Sequence, residues 1–172
     1  MIDTSLHAEY TSTPKIAAQL AEYTRRTGLN MHVHVSETAF EHEECKKKYG
    51  MTPVEYLDRQ GIFDTKATAA HCVWIEGDDY EILKEKGVTV AVNPISNLKL
   101  SSGVCNVPKL LEEGINVAIG TDSVASNNNL DFIEEMKVFA VSSKEKFKDP
   151  TAVTSAETIY AATFGGAKSQ GR

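Results

Sequence analysis

The most constraining feature of this sequence is a repeated alternation of short apolar runs with amphipathic stretches that end at a glycine. The apolar runs predict strands over residues 30–36, 66–71, 88–92 and 115–119. The amphipathic stretches predict helices over residues 14–27, 39–49, 54–60, 78–86, 107–113, 130–143 and 151–163. Thr13-Pro14 and Thr52-Pro53 each pair an N-cap residue with a first-turn proline, which marks where two of these helices begin.

A strand followed by a helix, repeated along the chain, predicts right-handed βαβ units and hence an α/β fold with a parallel sheet. The run 88–92 is continuously apolar, as expected for a parallel strand that is buried on both faces. Doubly wound sheets and (β/α)₈ barrels both give this pattern, and both bind ligands at the C-terminal ends of their strands. The side chains at those ends are therefore the candidates for function.

Composition excludes several classes of function. The net charge is −6, and the 18 Lys and Arg residues are spread along the chain, except for the three consecutive lysines at 46–48. This distribution forms no basic stripe, so no nucleic-acid surface is predicted. No apolar run is long enough to span a bilayer, and residues 1–10 lack the segments of a signal peptide. Cys45, Cys72 and Cys105 form no CxxC pair, which predicts neither disulfides nor a thiolate metal site and fits the reducing cytoplasm.

Each predicted strand ends next to side chains that bind metals or transfer protons. In chain order these are His34 and Glu37, His71, Asn93 and Asn97, and Asp122, with His7 before the first helix. Zn²⁺ and Fe²⁺ accept neutral imidazole and carboxylate ligands, and a carboxylate beside such a metal transfers protons. The pattern therefore predicts a metal site in which His34 and Asp122 ligate and Glu37 carries protons.

Each of these residues also has an ordinary structural explanation. His32 and His34 share one face of a strand, where both fit hydrogen-bonded core residues. The other structural alternatives are a core histidine for His71, a helix-start carboxylate for Glu37, a turn or cap residue for Asp122, and a polar turn for residues 126–129. His42 lies in a charged helix and is expected to be solvated. Because such side chains occur at every predicted strand end, a shared functional site is favoured over a separate structural explanation for each residue.

Five segments resemble the amidohydrolase superfamily of metal-dependent (β/α)₈ hydrolases, and within it the branch of 5-methylthioadenosine and S-adenosylhomocysteine deaminases and triazine chlorohydrolases. The segments are HAEYTST at 7–13, MHVHVSET at 31–38, AAHCVWI at 69–75, NPISNLKLSSG at 93–103 and GTDSVASNNNLD at 120–131. The resemblance implies hydrolytic deamination of an adenosine-type thioether. It also implies one divalent metal, with zinc as the first choice and iron or nickel as alternatives. Guanine deamination and triazine dechlorination are the alternative reactions.

The resemblance also implies a role for each matching residue. His34 resembles the metal ligand of the fifth barrel strand, and Asp122, at the eighth strand, resembles both a metal ligand and the base for water. Glu37 resembles the proton shuttle that protonates the purine ring. His71, at the sixth strand, resembles the residue that contacts the attacking water and the leaving group.

The resemblance also implies roles for two further positions, and one motif of the family is missing. His7 and Ser126 match positions that contact the purine, whereas His32 lies deeper in the barrel and is structural. The family's first strand carries an HxH pair that binds the metal. His32 and His34 have this spacing, but SET and the motifs of the sixth, seventh and eighth strands follow them in order, so they are not that pair and the first-strand pair is missing here. The resemblance therefore implies a single partial barrel over residues 1–172, from the end of strand four to strand eight, without strands one to three and the β-sandwich. A piece shorter than the ~250 residues of a complete barrel is expected to be inactive alone, which leaves a folded, non-catalytic chain as an alternative.

Residues 1–7 and 115–119 are expected to be edge strands without outer neighbours. Unpaired strand edges are templates for association. The inward-facing side chains are expected to border an open cavity, and they include Val90, Val92, Val117 and Ile119. Exposed apolar surface of this kind predicts self-association through the open barrel. The other expected partner is a small purine nucleoside, with neither nucleic acid nor a membrane.

Overall fold

The computed structural model describes residues 2–172, which form one parallel sheet with helices between its strands. The strands are β1 (Thr4–Leu6), β2 (Met31–Val35), β3 (Ala67–His71), β4 (Thr89–Val92) and β5 (Val117–Ile119). All neighbouring pairs are parallel, and the strands lie side by side in chain order. A doubly wound sheet reverses its strand order at a switch point, whereas a barrel keeps it. The chain-order sheet therefore confirms the barrel-type fold.

Helices follow the strands and cover one face of the sheet. They are α1 (Pro14–Thr27), α2 (Ala39–Tyr49), α3 (Pro53–Arg59), α4 (Asp79–Glu85), α5 (Pro94–Lys99), α6 (Val107–Glu112), α7 (Val124–Asn127), α8 (Phe132–Phe147), α9 (Ser155–Tyr160) and α10 (Gly166–Ser169). The caps read from the sequence are confirmed: the Thr13 side chain accepts a hydrogen bond from the Ile16 N–H at 3.3 Å, and Gly28 ends α1 at a φ of 67°. Among these described helices, none is long and apolar enough to cross a membrane.

Two parts of the N-terminal and central chain differ from the prediction. The strand predicted over residues 1–7 is Thr4–Leu6, and Met1 lies outside the described residues. Helix α5 was not predicted, although Pro94 occupies its first turn directly after Asn93. The turn chemistry of an Asn-Pro pair conceals such a short helix, because the same pair also begins loops.

The helix predicted over residues 151–163 changes geometry before it ends. Its α-helical part stops at Tyr160, and a π-helical turn, Ala161–Gly165, follows. The Asn116 side chain donates a hydrogen bond to the Gly165 carbonyl at 3.1 Å, and a Cβ on that glycine would overlap the carbonyl oxygen of Val117. Close packing against β5 therefore requires both the glycine and the wider turn, which local periodicity does not predict.

The hydrophobic core lies between the sheet and the helices. The strand residues that face the helices are almost fully buried, and they are Met31, Val33, Val35, Val90, Val92, Val117 and Ile119. The expectation that Val90, Val92, Val117 and Ile119 border an open cavity is therefore wrong. Side chains alternate along a strand, so an assignment that is off by one residue exchanges the two faces.

The opposite face of the sheet carries the histidines of β2. His32 and His34 alternate there with the buried apolar residues of the same strand. His34 lies level with Ala70, which pairs with Ala91, which in turn pairs with Ala118. Three methyl side chains across the sheet leave room beside the His34 ring. This row forms the floor beneath the strand ends, where the candidate site residues lie.

Candidate active site

Three histidine rings lie in a row across the ends of β1, β2 and β3. The ring centroids of His7 and His34 are 4.9 Å apart, and those of His34 and His71 are 5.3 Å apart. Nδ1 of His34 lies 2.6 Å from the backbone oxygen of His7. Because a carbonyl oxygen only accepts hydrogen bonds, this contact places a proton on Nδ1 and leaves the lone pair on Nε2. A histidine held in this way presents one nitrogen to a metal.

His71 is held by two asparagines from the segment after β4. Its side chain is 1% exposed, and its Nδ1 donates a hydrogen bond to Oδ1 of Asn97 at 2.7 Å. The Asn93 amide nitrogen lies 3.4 Å from the same ring nitrogen. The other nitrogen, Nε2, faces Oε2 of Glu37 at 3.8 Å, which is longer than a direct hydrogen bond. The structure thus brings the predicted Glu37 and His71 together with a gap between their reactive atoms.

Asp122 is bound at both carboxylate oxygens. The Ser96 hydroxyl donates to Oδ2 at 2.5 Å, and the Ser123 backbone N–H donates to Oδ1 at 2.6 Å. Burial acts to raise the pKa of Asp122, but the hydrogen bonds from Ser96, Ser123 and Ser126 outweigh it and hold the pKa below 3.8. Asp122 is therefore ionised at neutral pH, and Ser126 lies beside it.

Positive φ angles recur at these strand ends, and they also occur at four other residues that are not glycine: Ser101, Asn128, Lys148 and Val153. Ser36, His71, Cys72 and Asp122 all adopt positive φ, at 47°, 72°, 49° and 58°. A positive φ is uncommon for residues other than glycine and is tolerated where the surrounding structure enforces it. Its recurrence after β2, β3 and β5 indicates that the strand ends are shaped to direct particular side chains.

The combination of this fold and these strand ends is shared with known proteins. A model of the amidohydrolase family matches residues 2–172. The chain belongs to the amidohydrolase family. This match confirms the resemblance drawn from the five sequence segments, and it includes all five strands and the C-terminal helices.

Amidohydrolases with curated names are similar over nearly the whole chain. The 5'-deoxyadenosine deaminase of Methanothermobacter thermautotrophicus is 43% identical over 165 residues, which cover 96% of this chain and 39% of the relative. The 5-methylthioadenosine/S-adenosylhomocysteine deaminase of Caldanaerobacter subterraneus subsp. tengcongensis is 46% identical over 162 residues, which cover 94% of this chain and 37% of the relative. The resemblance to the deaminase branch is confirmed, and the chain spans well under half the length of these relatives.

A solved amidohydrolase shows the same architecture. The crystal structure of an adenosine deaminase from Xanthomonas campestris, with bound zinc, superposes with a TM-score of 0.94 at 36% identity. The superposition covers 98% of this chain and 38% of that chain. The five-stranded sheet described above is therefore part of an amidohydrolase barrel fold.

Two histidines outside the row have different environments. His32 is half-buried, and burial lowers its pKa, with His34 as the next contributor, so it stays neutral near pH 7. The expectation that His42 is solvated is wrong, because only 3% of it is exposed. Its ring nitrogens contact Oγ of Ser36 at 3.1 Å and Oε1 of Glu76 at 3.3 Å. With both nitrogens satisfied, this amidohydrolase can bury an imidazole within a charged helix.

The sequence analysis did not identify Glu41, whose side chain binds the Glu37 backbone. Glu41 is 7% exposed, and its Oε2 accepts a hydrogen bond from the Glu37 N–H at 2.8 Å. Thr38 and Glu41 also have the T-x-x-E spacing of a capping box, which is the sequence signal that identifies Glu41 as an N-terminal residue of α2. No local sequence signal predicts that the Glu41 carboxylate also binds the backbone N–H groups that precede the N-cap residue.

The chain supplies part of a metal donor set. Within residues 2–172, no group of three or more His, Cys, Asp and Glu side chains is arranged to hold a metal ion. His34 nevertheless presents a free Nε2, and Asp122 presents an ionised carboxylate. Both are donors that zinc accepts. The chemistry of these two side chains therefore fits a zinc ion, as part of a donor set.

Proposed function

We propose that this chain carries the catalytic strand ends of a metal-dependent deaminase that removes the 6-amino group of an adenosine-type nucleoside with a modified 5′ position. One observation carries the proposal: Oε2 of Glu37 faces Nε2 of His71 at 3.8 Å, beside the free Nε2 of His34. The names of the two curated relatives, deaminases of 5'-deoxyadenosine and of 5-methylthioadenosine and S-adenosylhomocysteine, support this class of substrate.

The metal would be held by Nε2 of His34 and the carboxylate of Asp122. Zinc is the proposed ion, with iron or nickel as alternatives, and the zinc in the X. campestris deaminase supports this choice. When bound, such a metal lowers the pKa of water to about 7 and so supplies a nucleophile near neutral pH. The proton transfers are proposed for side chains of this chain.

Three side chains would share the proton transfers. Asp122 is ionised and would accept one proton of the attacking water and pass it to the amino group, which leaves as ammonia. Glu37 would take the other proton of the water on its Oε2 and deliver it to the purine ring nitrogen next to the reacting carbon. His71 donates from Nδ1 to Asn97, so its Nε2 would accept a hydrogen bond from the water or from the departing amino group. The open 3.8 Å gap between Glu37 and His71 leaves these two groups free to contact the substrate.

The purine would lie at the open rim of the row. His7 is exposed and packs edge-on against Tyr10, with ring centroids 5.8 Å apart. Ser126 is on the opposite side, next to Asp122. An aromatic rim on one side and a hydroxyl on the other fit a flat, polar heterocycle.

A substrate panel tests this proposal. Product release would be compared in a zinc-loaded protein with a complete ligand set: ammonia from 5'-deoxyadenosine, methylthioadenosine, S-adenosylhomocysteine and guanine, and chloride from a chlorotriazine. We expect kcat/KM for the adenosine-type nucleosides to exceed that for the other two by about tenfold or more. A preference for guanine or the triazine would replace this assignment by one of the two alternative reactions.

A folded, non-catalytic chain is the second candidate, and the incomplete metal cluster favours it for the 172-residue chain alone. Two donors hold zinc less tightly than the three or four of most protein sites. Metal analysis of the purified chain should therefore give well under one zinc per chain, and His34→Ala should lower it further. A tightly bound, stoichiometric zinc would eliminate this candidate.

Self-association is proposed from the edges of the described sheet. β1 and β5 are the outermost of its five strands and pair on one side only within it. Light scattering should give a mass above the 18.8 kDa of one chain. A stable monomer would show that the edges are covered from within, for example by the π-helical turn against β5.

The proposed compartment is the cytoplasm. Cys45, Cys72 and Cys105 are all free and buried. Burial raises the pKa of Cys45 and of Cys105 to about 12, so both remain protonated thiols. Unpaired, unreactive thiols of this kind are typical of proteins in reducing compartments.

A further inference from the structure

The segment that carries Glu37 leaves β2 through a strained turn. Ser36 follows the last strand residue and has a φ of 47°. A serine in this region is strained, and the conformation persists only where surrounding contacts enforce the turn. The contacts that enforce it therefore determine where the Glu37 side chain points.

Glu41 provides three of those contacts. Its Oε1 accepts a hydrogen bond from the Ser36 N–H at 2.9 Å. Its Oε2 accepts from the Glu37 N–H at 2.8 Å and from the Thr38 N–H at 3.4 Å. One buried carboxylate therefore binds three successive backbone donors, and the residue in the middle is Glu37.

An ordinary helix cap does not require this arrangement. Glu55 forms the same capping box at α3, where its Oε2 accepts from the Thr52 N–H at 2.7 Å. Glu157 does the same at α9 with the Thr154 N–H, also at 2.7 Å. Each of these binds the backbone N–H of its N-cap residue, whereas Glu41 also binds those of the two preceding residues. The difference lies in the part of the chain that contains the proton carrier.

We infer that Glu41 is the positioning residue for Glu37: by binding the backbone of residues 36–38, it sets the direction of the Glu37 carboxylate toward His71. The inference rests on the proposed role of Glu37 in proton transfer. Glu41 itself does not contact the reacting atoms in this scheme.

The same turn is tied to the end of β3. The Ser36 carbonyl accepts hydrogen bonds from the backbone N–H groups of Val73 and Trp74, both at 3.1 Å. Its hydroxyl contacts Nδ1 of the buried His42 at 3.1 Å. Because His71 lies two residues before Val73, these bonds fix the turn relative to the His71 ring. Glu41 completes the set from the helix side, so the Glu37 to His71 distance depends on it.

Glu9 completes the surroundings of Glu41. It is 2% exposed, and burial, followed by the nearby Glu41, raises its pKa to about 8. An uncharged Glu9 does not repel the Glu41 carboxylate at neutral pH, so the two buried glutamates can lie side by side while Glu41 accepts from the three N–H groups.

Hydrogen exchange of the backbone amides tests the inference without any substrate. In Glu41→Gln the side chain loses its charge and one acceptor oxygen, so the amides of Ser36, Glu37 and Thr38 should exchange about 10–100-fold faster. The matched control is Glu55→Gln, which removes the same charge from the same capping geometry and should accelerate only Thr52. Unchanged protection of residues 36–38 in Glu41→Gln would overturn the inference.

The His71 ring supplies a second readout that a merely structural role would not move. The ¹⁵N chemical shift of its Nε2 should change in Glu41→Gln in the same direction as in Glu37→Gln, and should stay at the wild-type value in Glu55→Gln. Glu41→Asp, which keeps the charge, should restore part of the shift and serves as the variant if Glu41→Gln does not fold. A His71 signal that moves in Glu37→Gln but not in either Glu41 variant would overturn the positioning role. Neither measurement depends on turnover, so a failed substrate panel would refute the proposed function and leave this result standing.

Discussion

The two carboxylates of the site are held in opposite ways. Glu37 is fixed through its backbone, whose N–H binds Glu41 at 2.8 Å, while its carboxylate faces His71 across 3.8 Å. Asp122 is fixed through its carboxylate, which accepts hydrogen bonds from Ser96 and from the Ser123 backbone. The ends of β2 and β5 therefore both present a carboxylate, but within the described part of the chain the oxygens of Glu37 are left free whereas those of Asp122 are hydrogen-bonded.

The difference matches what each carboxylate is proposed to do. A proton carrier changes its protonation during the reaction, so its oxygens must stay free while its direction is set from behind. A metal ligand stays ionised, so donors on its oxygens help by favouring the charge. Both sides use a buried glutamate from a helix. Glu135, which is 0% exposed, accepts from the Ile95 N–H at 3.3 Å and from the Asn127 side chain, and so joins the segments that surround Asp122.

Asp122→Asn should have the largest effect on this comparison. In a zinc-loaded protein with a complete ligand set, the substitution keeps the shape of the side chain but removes the charge that would bind zinc, so turnover should be abolished. Zinc affinity should fall by more than the roughly 10–100-fold that is typical for loss of an outer partner. A zinc competition titration measures the affinity. Wild-type affinity in Asp122→Asn would show that Asp122 is not a ligand.

Glu37→Gln should separate the two roles. Loss of a positioned proton carrier should lower kcat about 10²–10⁴-fold. Zinc affinity should not change, because the Glu37 carboxylate is proposed to face the substrate rather than the metal. The same titration and the same substrate serve as readouts for both variants. If Glu37→Gln lost zinc as completely as Asp122→Asn, the two carboxylates would have one role and the comparison would fail.

The contrast between backbone and side-chain contacts also explains what the sequence could predict. Caps act within a few residues, so Thr13 and Gly28 marked the ends of α1 correctly. The strand faces depend on register with a distant strand, so Val90 and Val117 were placed on the wrong face. Local signals locate elements, whereas pairing partners far along the chain decide which side of an element is buried.

Helix α2 shows the same limit at the site itself. Its buried residues are Glu41, His42 and Cys45, so its inner face is polar rather than apolar. Hydrophobic periodicity cannot find such a face, because it equates burial with apolar side chains. Glu41 can be buried because the backbone N–H groups of residues 36–38 donate hydrogen bonds to its carboxylate. His42 can be buried because the Glu76 carboxylate accepts a hydrogen bond from its ring. The strand-end motifs identify the residues that are proposed to contact the substrate. They do not identify the helix residues, such as Glu41, that hold those residues in place.

Glu9→Gln should change the pH dependence of stability on the β2 side. Glu9 has a pKa of about 8 in the folded protein against an ordinary value of 4.5, so between these values the folded state keeps a proton that the unfolded chain loses. Stability from this group is therefore complete below about pH 4.5 and is lost as the pH rises toward 8. The groups around it are Tyr10, Glu37, Glu41, Glu44, Cys45, Lys48 and Tyr56.

The measurement is urea unfolding at pH 6 and pH 8.5. The wild type should lose about 2–3 kcal/mol of unfolding free energy between these pH values through Glu9 alone. Glu9→Gln should remove that loss, whereas Glu22→Gln, at an exposed position on α1, should leave it in place. An equal pH dependence in Glu9→Gln and the wild type would mean that Glu9 is ionised in the fold.

Ser96→Ala should have the smallest effect, and it tests the β5 side of the comparison directly. The Ser96 hydroxyl is the donor to Oδ2 of Asp122, at 2.5 Å, so its loss frees one carboxylate oxygen without removing the carboxylate. Zinc affinity should fall roughly 10–100-fold, as for other outer partners of metal ligands. Ser102→Ala is the control, because it deletes a buried hydroxyl near the same segment that has no hydrogen-bond partner among the described residues. If Ser96→Ala left zinc affinity at the Ser102→Ala value, Asp122 would hold its orientation without side-chain donors. The contrast between Asp122 and Glu37 would then rest only on their backbone contacts.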